Sequence, residues 1–123
     1  MEQKRYDKGI RGEAEARAFL EAKGMAFVRS RYRAAGGEID LVMREGGTLV
    51  FVEVKYRPAG HLGDGLRSVT QDKRRRLWRA ATAYLASCGR MDIPARVDVV
   101  EITADGITHI PNAFIAGGSR ELR

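Results

Sequence analysis

Four charged residues near the middle of the chain have the types and spacing that phosphodiester chemistry uses. Glu38 and Asp40 lie in the string GEIDLV, and Glu53 and Lys55 lie in the string FVEVK. Carboxylate oxygens, completed by waters and substrate phosphate, are the ligands that Mg²⁺ or Mn²⁺ requires. A nearby lysine can stabilise the charge that develops on a scissile phosphate. These residues therefore predict a metal-dependent phosphodiesterase site, provided that the fold brings them together.

A hairpin is expected to bring them together. Two β-type runs, residues 38–44 and 49–56, flank Gly46-Gly47, and Gly-Gly is a good type I′ turn. This turn pairs Asp40 with Glu53 across the hairpin. Directly opposed Cβ atoms lie about 4.5–5.5 Å apart, so the two charges would repel by roughly 3 kcal/mol at an effective dielectric of about 20. A bound divalent cation would remove that repulsion.

The hairpin also predicts which faces are buried. Alternate residues of the two strands form an uninterrupted apolar face that should be core: Ile39, Leu41, Met43, Val50, Val52 and Val54. The other face, which carries the polar residues, also has apolar residues near the turn, so a helix should cover that part of the face. From these residues alone, an exposed ladder of salt bridges and a metal site are equally good explanations of the charged side chains.

Helix one adds a third carboxylate. It is predicted over residues 8–23, with Asp7 as its N-cap. At 100° per residue, Glu13 projects within about 20° of Leu20, on the face that should be buried. A buried carboxylate needs a partner, which a metal site would supply; the alternatives are a contact with the helix dipole in the first turns or an ion pair with Arg17.

The remaining elements complete a mixed sheet. Residues 58–65 are rich in glycine and are predicted to form a loop, and Thr70 or Ser68 is predicted to cap a second helix that ends near Gly89. Its expected apolar stripe is Leu77, Ala81, Tyr84, Leu85 and Cys88. Strands are predicted over residues 25–33, 96–103 and 107–110. The order αβββαββ predicts one mixed sheet with helices packed on it, in the α/β or α+β class.

The length and composition limit the class of protein. The 123 residues predict a single domain, over residues 1–116, with a flexible tail at 117–123. No apolar run approaches the roughly 18 residues of a membrane span, and the start of the chain lacks a signal peptide's apolar region, so a cytoplasmic location without membrane contact is expected. The 22 Lys plus Arg against 16 Asp plus Glu give a net charge of +6, which favours a polyanionic partner.

The basic residues are concentrated in two places that are predicted to contact DNA. One is the start of the second helix, where backbone N–H groups also favour phosphate, and the other is the first strand. The alternative is a solvated basic surface. The helix group is Gln71, Lys73, Arg74, Arg75, Arg76 and Arg79, and the strand group is Arg29, Arg31 and Arg33.

Four strings together resemble a family of bacterial proteins. Gly12-Glu13, GEIDLV, FVEVK and the string RVDVV at residues 96–100 look like the YraN-like family. That family is similar to the archaeal Holliday-junction resolvases and other restriction-endonuclease-like nucleases of the PD-(D/E)xK type. The resemblance covers nearly the whole chain, although no proline precedes the acidic residue of the first motif.

The resemblance implies a restriction-endonuclease-like α/β fold and a role for each acidic residue. It implies Asp40 and Glu53 as ligands of Mg²⁺ or Mn²⁺, Glu13 as a further acidic ligand, and Lys55 as the catalytic lysine. It also implies a branched DNA duplex as substrate and a homodimer. The competing hypothesis is a non-catalytic nucleic-acid-binding module that retains the nuclease fold and acts with a partner enzyme.

Overall fold

The structure is a computed structural model that describes the backbone of residues 2–114 and the side chains of residues 9–114. The tail expected at residues 117–123 lies outside the described residues. No helix in the described part has the length and apolar character needed to cross a membrane. The elements are α1 (Glu2–Ala22), β1 (Ala26–Ala34), β2 (Gly37–Glu45), β3 (Thr48–Arg57), α2 (Asp64–Arg67), α3 (Gln71–Ser87), β4 (Ala95–Thr103) and β5 (Gly106–Phe114).

Within the described residues, five strands form one mixed sheet in the order β1-β2-β3-β4-β5. All neighbours are antiparallel except β3 and β4, which are parallel and are joined by the crossover through α2 and α3. The α/β prediction is therefore confirmed. The element order differs from the prediction by the one-turn helix α2, which begins inside the segment predicted as a loop.

Each face of the sheet carries its own core under one long helix. The core under α3 contains Val42, Phe51 and Val97, and the core under α1 contains Met43 and Val52. β3 and β4 are central strands covered on both faces, so both parities of these strands are mostly apolar. Such two-sided burial leaves the ends of the strands as the places where polar groups reach solvent.

The predicted helix stripe is correct except at its end. On α3, the side chains of Leu77, Ala81, Tyr84 and Leu85 are buried, but Cys88 is exposed. The Cys88 prediction is wrong: Cys88 keeps helical backbone angles as the C-cap of α3, but it follows the last helical residue, Ser87, and its side chain is exposed at the end of the helix. Thr70 caps α3 as predicted, since its hydroxyl accepts a hydrogen bond from the Lys73 N–H at 3.2 Å.

Helix α1 begins earlier than predicted. Its backbone is helical from Glu2, so Asp7 is inside the helix and is not its N-cap. The error follows from placing the start at the first good capping residue, although acidic residues also occur within the first turns of helices. The buried face was predicted correctly, because Ala16 and Leu20 are fully buried.

The β2–β3 hairpin has the predicted register but ends sooner. Leu41 pairs with Val52 and Glu45 with Thr48, and no regular pair is formed beyond Leu41. Ile39 packs under α3, whereas Leu41 packs under α1. The prediction of one uninterrupted apolar face is therefore wrong at Ile39. Because residues two apart share a face in a regular strand, β2 must be irregular at Asp40, between them.

Gly37 brings the start of β2 into direct contact with α3. A Cβ at this position would overlap the carbonyl oxygen of Arg76 and would be 3.4 Å from the Cβ of Ala80. A backbone approach of this kind leaves room only for glycine. The contact fixes the distance between α3 and the strand that carries Asp40.

We expect Gly37→Ala to lower the free energy of unfolding by about 1–3 kcal/mol, because the added methyl group must push β2 away from α3. Gly47→Ala is the matched control, since a Cβ there would meet nothing within 4 Å. Urea denaturation followed by circular dichroism gives both values. Equal stability of the two variants would show that β2 and α3 are not in this close contact.

Candidate functional site

A cleft of about 650 Å³ opens between the β1–β2 turn, the end of the β2–β3 hairpin and the first turns of α3. It contains acidic residues from the hairpin and basic residues from β1 and α3. Asp40 and Glu53, predicted to face one another, both line it. The charged lining residues are Arg33, Glu38, Asp40, Glu53, Lys73 and Arg76.

Asp40 lies where β2 leaves the regular pairing with β3. Its Oδ2 accepts a hydrogen bond from the Val54 N–H at 2.8 Å. Regular pairing has ended at Leu41 and Val52, so the Asp40 side chain supplies the acceptor that Val54 requires. This contact fixes the carboxylate at the mouth of the opening between the two strands.

The environment of Asp40 disfavours a negative charge. Its pKa is raised well above the ordinary value, first because burial removes the carboxyl from water and next because Glu53 carries a like charge nearby. Glu13 and Glu38 raise it further, and the Val54 hydrogen bond acts in the opposite direction. The structure thus concentrates four carboxyl groups closely enough for three of them to act on the fourth.

Lys55 is buried beside this cluster. Its Nζ lies 3.1 Å from Oε2 of Glu53, and the two side chains are 11% and 19% exposed. The lysine does not line the cleft itself but reaches it through Glu53. The structure therefore has Lys55 next to the acidic residues, which is the position that the sequence predicts.

Glu13 is near the cluster but on the side of α1. Its side chain is only 16% exposed, and its Oε1 accepts a hydrogen bond from Nε of Arg31 at 2.9 Å. The predicted alternative partner, Arg17, instead pairs with Glu21 at 3.1 Å. Glu13 lines a separate groove between α1 and β1. It therefore acts on Asp40 through its charge without sharing the cleft.

Asp40 and Glu53 have the donor atoms for a divalent cation. Both line one cleft, and the raised pKa of Asp40 reflects burial first and the like charge of Glu53 second, both of which a bound cation would offset. In the described residues, however, no three His, Cys, Asp or Glu side chains are arranged to hold a metal together. The pair fits a cation completed by water and substrate, and this conformation does not bring Glu13 in as a third ligand.

The basic residues of α3 do not form one surface. Lys73 and Arg76 line the cleft, and Arg76 also pairs with Asp72 at 3.1 Å. Arg74 is directed elsewhere: its Nε donates to the Val69 carbonyl at 3.3 Å, and its guanidinium lies 4.7 Å from the ring centre of Phe114.

Gln71, Arg75 and Arg79 are exposed on α3 and do not line the cleft. Of the predicted helix group, Lys73 and Arg76 are thus the members placed beside the acidic residues.

The three arginines of β1 are also separated. Arg33 lies at the cleft, 3.4 Å from Glu38. Arg31 pairs with Glu13 on the α1 side, and its backbone has a φ of 55°, which is uncommon for a residue with a side chain. Arg29 lies 5.2 Å over the ring of Tyr32. A regular strand would have placed all three on one face, and the positive φ of Arg31 prevents this.

Two buried acidic residues of β4 were not singled out by the sequence. Asp98 and Glu101 are fully buried. Asp98 accepts hydrogen bonds from Arg96, at 2.9 Å, and from the backbone of Asn112, at 2.8 Å, and it contacts His109 Nε2 at 2.7 Å. The string RVDVVEI has apolar residues on both faces of the strand, which predicts that β4 is buried on both sides. A strand buried on both faces also buries its acidic residues.

Comparison with protein families gives one match over most of the chain. Residues 12–102 match the family described as "Uncharacterised protein family UPF0102". These residues include both strings of the β2–β3 hairpin and the whole of α3.

Curated relatives agree with this match. A UPF0102 protein of Geobacter metallireducens is 44% identical over 110 residues, which are 86% of this chain and 90% of the relative. One of Deinococcus radiodurans is 49% identical over 102 residues, 81% of this chain and 83% of the relative. The UPF0102 protein YraN of Escherichia coli is 44% identical over 104 residues, 83% and 79% of the two chains. The chain therefore belongs to the UPF0102 family, which includes the YraN proteins that its motifs resemble.

Proposed function

We propose that the protein is a metal-dependent DNA endonuclease. The observation that supports this most directly is the shared cleft, in which the Asp40 and Glu53 carboxylates of the hairpin face Lys73 and Arg76 of α3. A carboxylate such as Asp40, whose pKa is raised by burial and by a like charge on Glu53, favours a cation, and basic side chains at the rim favour a polyanion. One cleft with both properties suits a phosphodiester group bound next to a metal.

Each residue then has a separate role. Asp40 and Glu53 would hold Mg²⁺ or Mn²⁺, which when bound supplies polarisation of the phosphate and activation of water. The Lys55 amine, beside Glu53, would stabilise the negative charge that develops on the phosphate. Lys73 and Arg76 would contact neighbouring phosphates and align the strand.

Branched duplex DNA is the substrate shape that we propose on the resemblance to resolvases. Two-fold junctions are bound by two-fold protein assemblies, so a homodimer belongs to the same proposal. Faster cleavage of a four-way junction than of linear duplex, by a protein that sediments as a dimer, is the expected result.

A second candidate function is supported by the ion pairs of the site. Glu13 is already neutralised by Arg31 and Glu53 by Lys55, and the described residues offer no three-ligand metal group. A module that binds nucleic acid without cleaving it would need only the basic rim of the cleft. The two candidates differ in their response to metal.

Cleavage is the direct test of the endonuclease. We expect the purified protein to cut at least one of four-way, flap, single-stranded and linear DNA in Mg²⁺ or Mn²⁺, and to lose this activity in excess EDTA. Lys55→Ala should slow cleavage by about 100-fold or more, because the amine no longer stabilises the transition state, while DNA affinity in Ca²⁺ stays within a few-fold. Wild-type protein that binds all four DNAs and cuts none would favour the binding module.

Asp40→Asn tests the crowded carboxylates through stability. A carboxyl with a raised pKa in the folded chain binds its proton more tightly there than in the unfolded chain, so its ionisation opposes folding. This penalty is present above the folded-state pKa and disappears as the pH falls below the ordinary aspartate value of about 3.9. Without metal, Asp40→Asn should therefore raise the free energy of unfolding at pH 8, by roughly 1–3 kcal/mol.

The same variant has two internal controls. Below the ordinary aspartate pKa of about 3.9, its advantage over the wild type should vanish, because the carboxyl is then protonated in both the folded and the unfolded chain. Added Mn²⁺ should stabilise the wild type more than Asp40→Asn, since the variant lacks one of the two ligands. A variant that is less stable than the wild type at pH 8 would contradict the assigned like-charge repulsion.

Paired substitutions on α3 test the basic rim. Lys73→Ala with Arg76→Ala should weaken DNA binding and reduce the slope of log affinity against log salt by about 0.9 for each phosphate that is no longer neutralised. Arg75→Ala with Arg79→Ala is the matched control, because these residues carry the same charge on the same helix away from the cleft. If the control pair lowers the slope as much, DNA does not bind along the cleft.

A further inference from the structure

A short segment covers the buried stem of Lys55. It comprises residues 60–68, which include α2, and is called the cap segment below. A Cβ added to Gly65 would be 2.5 Å from the Cβ of Lys55, a separation that real side chains do not show. Glycine is therefore required at this position, and the cap segment packs directly on the lysine stem. Lys55 is consequently only 9% exposed.

Glu101 fastens the cap segment to the sheet. It is fully buried on β4 and is the register partner of Lys55 across the parallel β3–β4 pair. Its Oε1 accepts a hydrogen bond from the Gly63 N–H at 2.8 Å, and its Oε2 accepts one from the Leu66 N–H at 2.9 Å. The Cβ position of Gly65 is also 2.9 Å from that Oε2. The carboxylate of Glu101, the cap segment and the stem of Lys55 thus meet at one point.

This anchor is stronger than the contacts that the cap segment makes with the β4–β5 turn, where the Ala104 N–H donates to the Gly60 carbonyl at 3.2 Å. Hydrogen bonds to a buried carboxylate are charge-assisted, and breaking either would leave a charge partly unsatisfied in the interior. Another contact with that turn, from the Leu62 N–H to Oδ2 of Asp105 at 3.0 Å, is an outer anchor that is exposed to solvent. Water can replace Asp105 at little cost, but it cannot readily replace Glu101.

We infer that Glu101 is a positioning residue for Lys55. By holding the cap segment against the lysine stem, it confines the amine to the side of Glu53, where the two groups lie 3.1 Å apart. The consequence for cleavage rests on the proposed nuclease function. The confinement of Lys55 rests only on the contacts of Glu101 and Gly65.

Glu101→Gln tests the anchor with little change in shape. The amide group removes the charge and turns an NH₂ toward one of the two backbone N–H groups. Asp105→Asn makes the same chemical change at the outer anchor and is the matched control. Reductive methylation of the folded proteins, followed by peptide mass spectrometry, measures the accessibility of Lys55 against exposed Lys73 in the same molecule.

We expect Glu101→Gln to increase the relative labelling of Lys55 by about 10-fold or more, the order expected when a hydrogen bond to a charged group is removed. Asp105→Asn should leave the labelling unchanged. In Mn²⁺, Glu101→Gln should lower kcat by about 10-fold with KM for DNA unaltered, since a misplaced lysine affects the transition state more than binding. A general loss of structure in Glu101→Gln would instead change KM for DNA as well as kcat.

Gly65→Ala is the second test and keeps the inference falsifiable if Glu101→Gln does not fold. It keeps the Glu101 side chain, but the added methyl group would crowd both Lys55 and Oε2 of Glu101, so it should expose Lys55 to labelling by displacing the cap segment. Unchanged labelling of Lys55 in every folded variant would overturn the inference, as would increased labelling with undiminished cleavage. A wild type that cuts no DNA, while labelling of Lys55 rises in the variants, would contradict the nuclease and support the positioning of Lys55 by Glu101.

Discussion

The site depends on one local event, the end of the β2–β3 ladder at Asp40. Had β2 continued in register, the N–H of Val54 would have met a backbone carbonyl, and it instead meets the Asp40 carboxylate. The same irregularity moves Ile39 to the face under α3, which is the face of the cleft. The separation of β2 from β3 at this point therefore places the Asp40 carboxylate between the two strands, where it also satisfies the N–H of Val54.

Much of this arrangement was predictable from the periodicity of the apolar residues and from the residues of the hairpin turn. The Gly46-Gly47 turn fixed the register of the hairpin, and the alternation of apolar residues predicted a sheet with two covered faces. The irregularity at Asp40 was not predictable, since Ile39 and Leu41 are both apolar and satisfy either face. The same limit applies to β1, where the positive φ of Arg31 separates arginines that simple alternation places together.

The charged residues of α3 show a different limit. A run of basic residues predicts a basic helix, but every residue advances by 100° around it. Lys73 and Arg76 therefore reach the cleft while Arg74 packs on Phe114. Their separation depends on which face α3 turns to the sheet, and Gly37 sets that contact. Composition predicted the charge, whereas tertiary packing decided which part of it meets the acidic residues.

The buried acidic residues can be separated by what surrounds them. Asp98 and Glu101 each accept two or more hydrogen bonds from groups that donate to a carboxylate, so each charge is satisfied within the fold. Among the residues whose side chains the structure describes, Asp40 has one such bond and three carboxylate neighbours that raise its pKa. A fold gains nothing in stability from that arrangement, because like charges at short range oppose folding. The carboxylates that stabilise the chain are thus Asp98 and Glu101 on β4, whose charges are satisfied by hydrogen bonds. The Asp40 carboxylate at the cleft is not balanced in this way, so an external cation has most to contribute there.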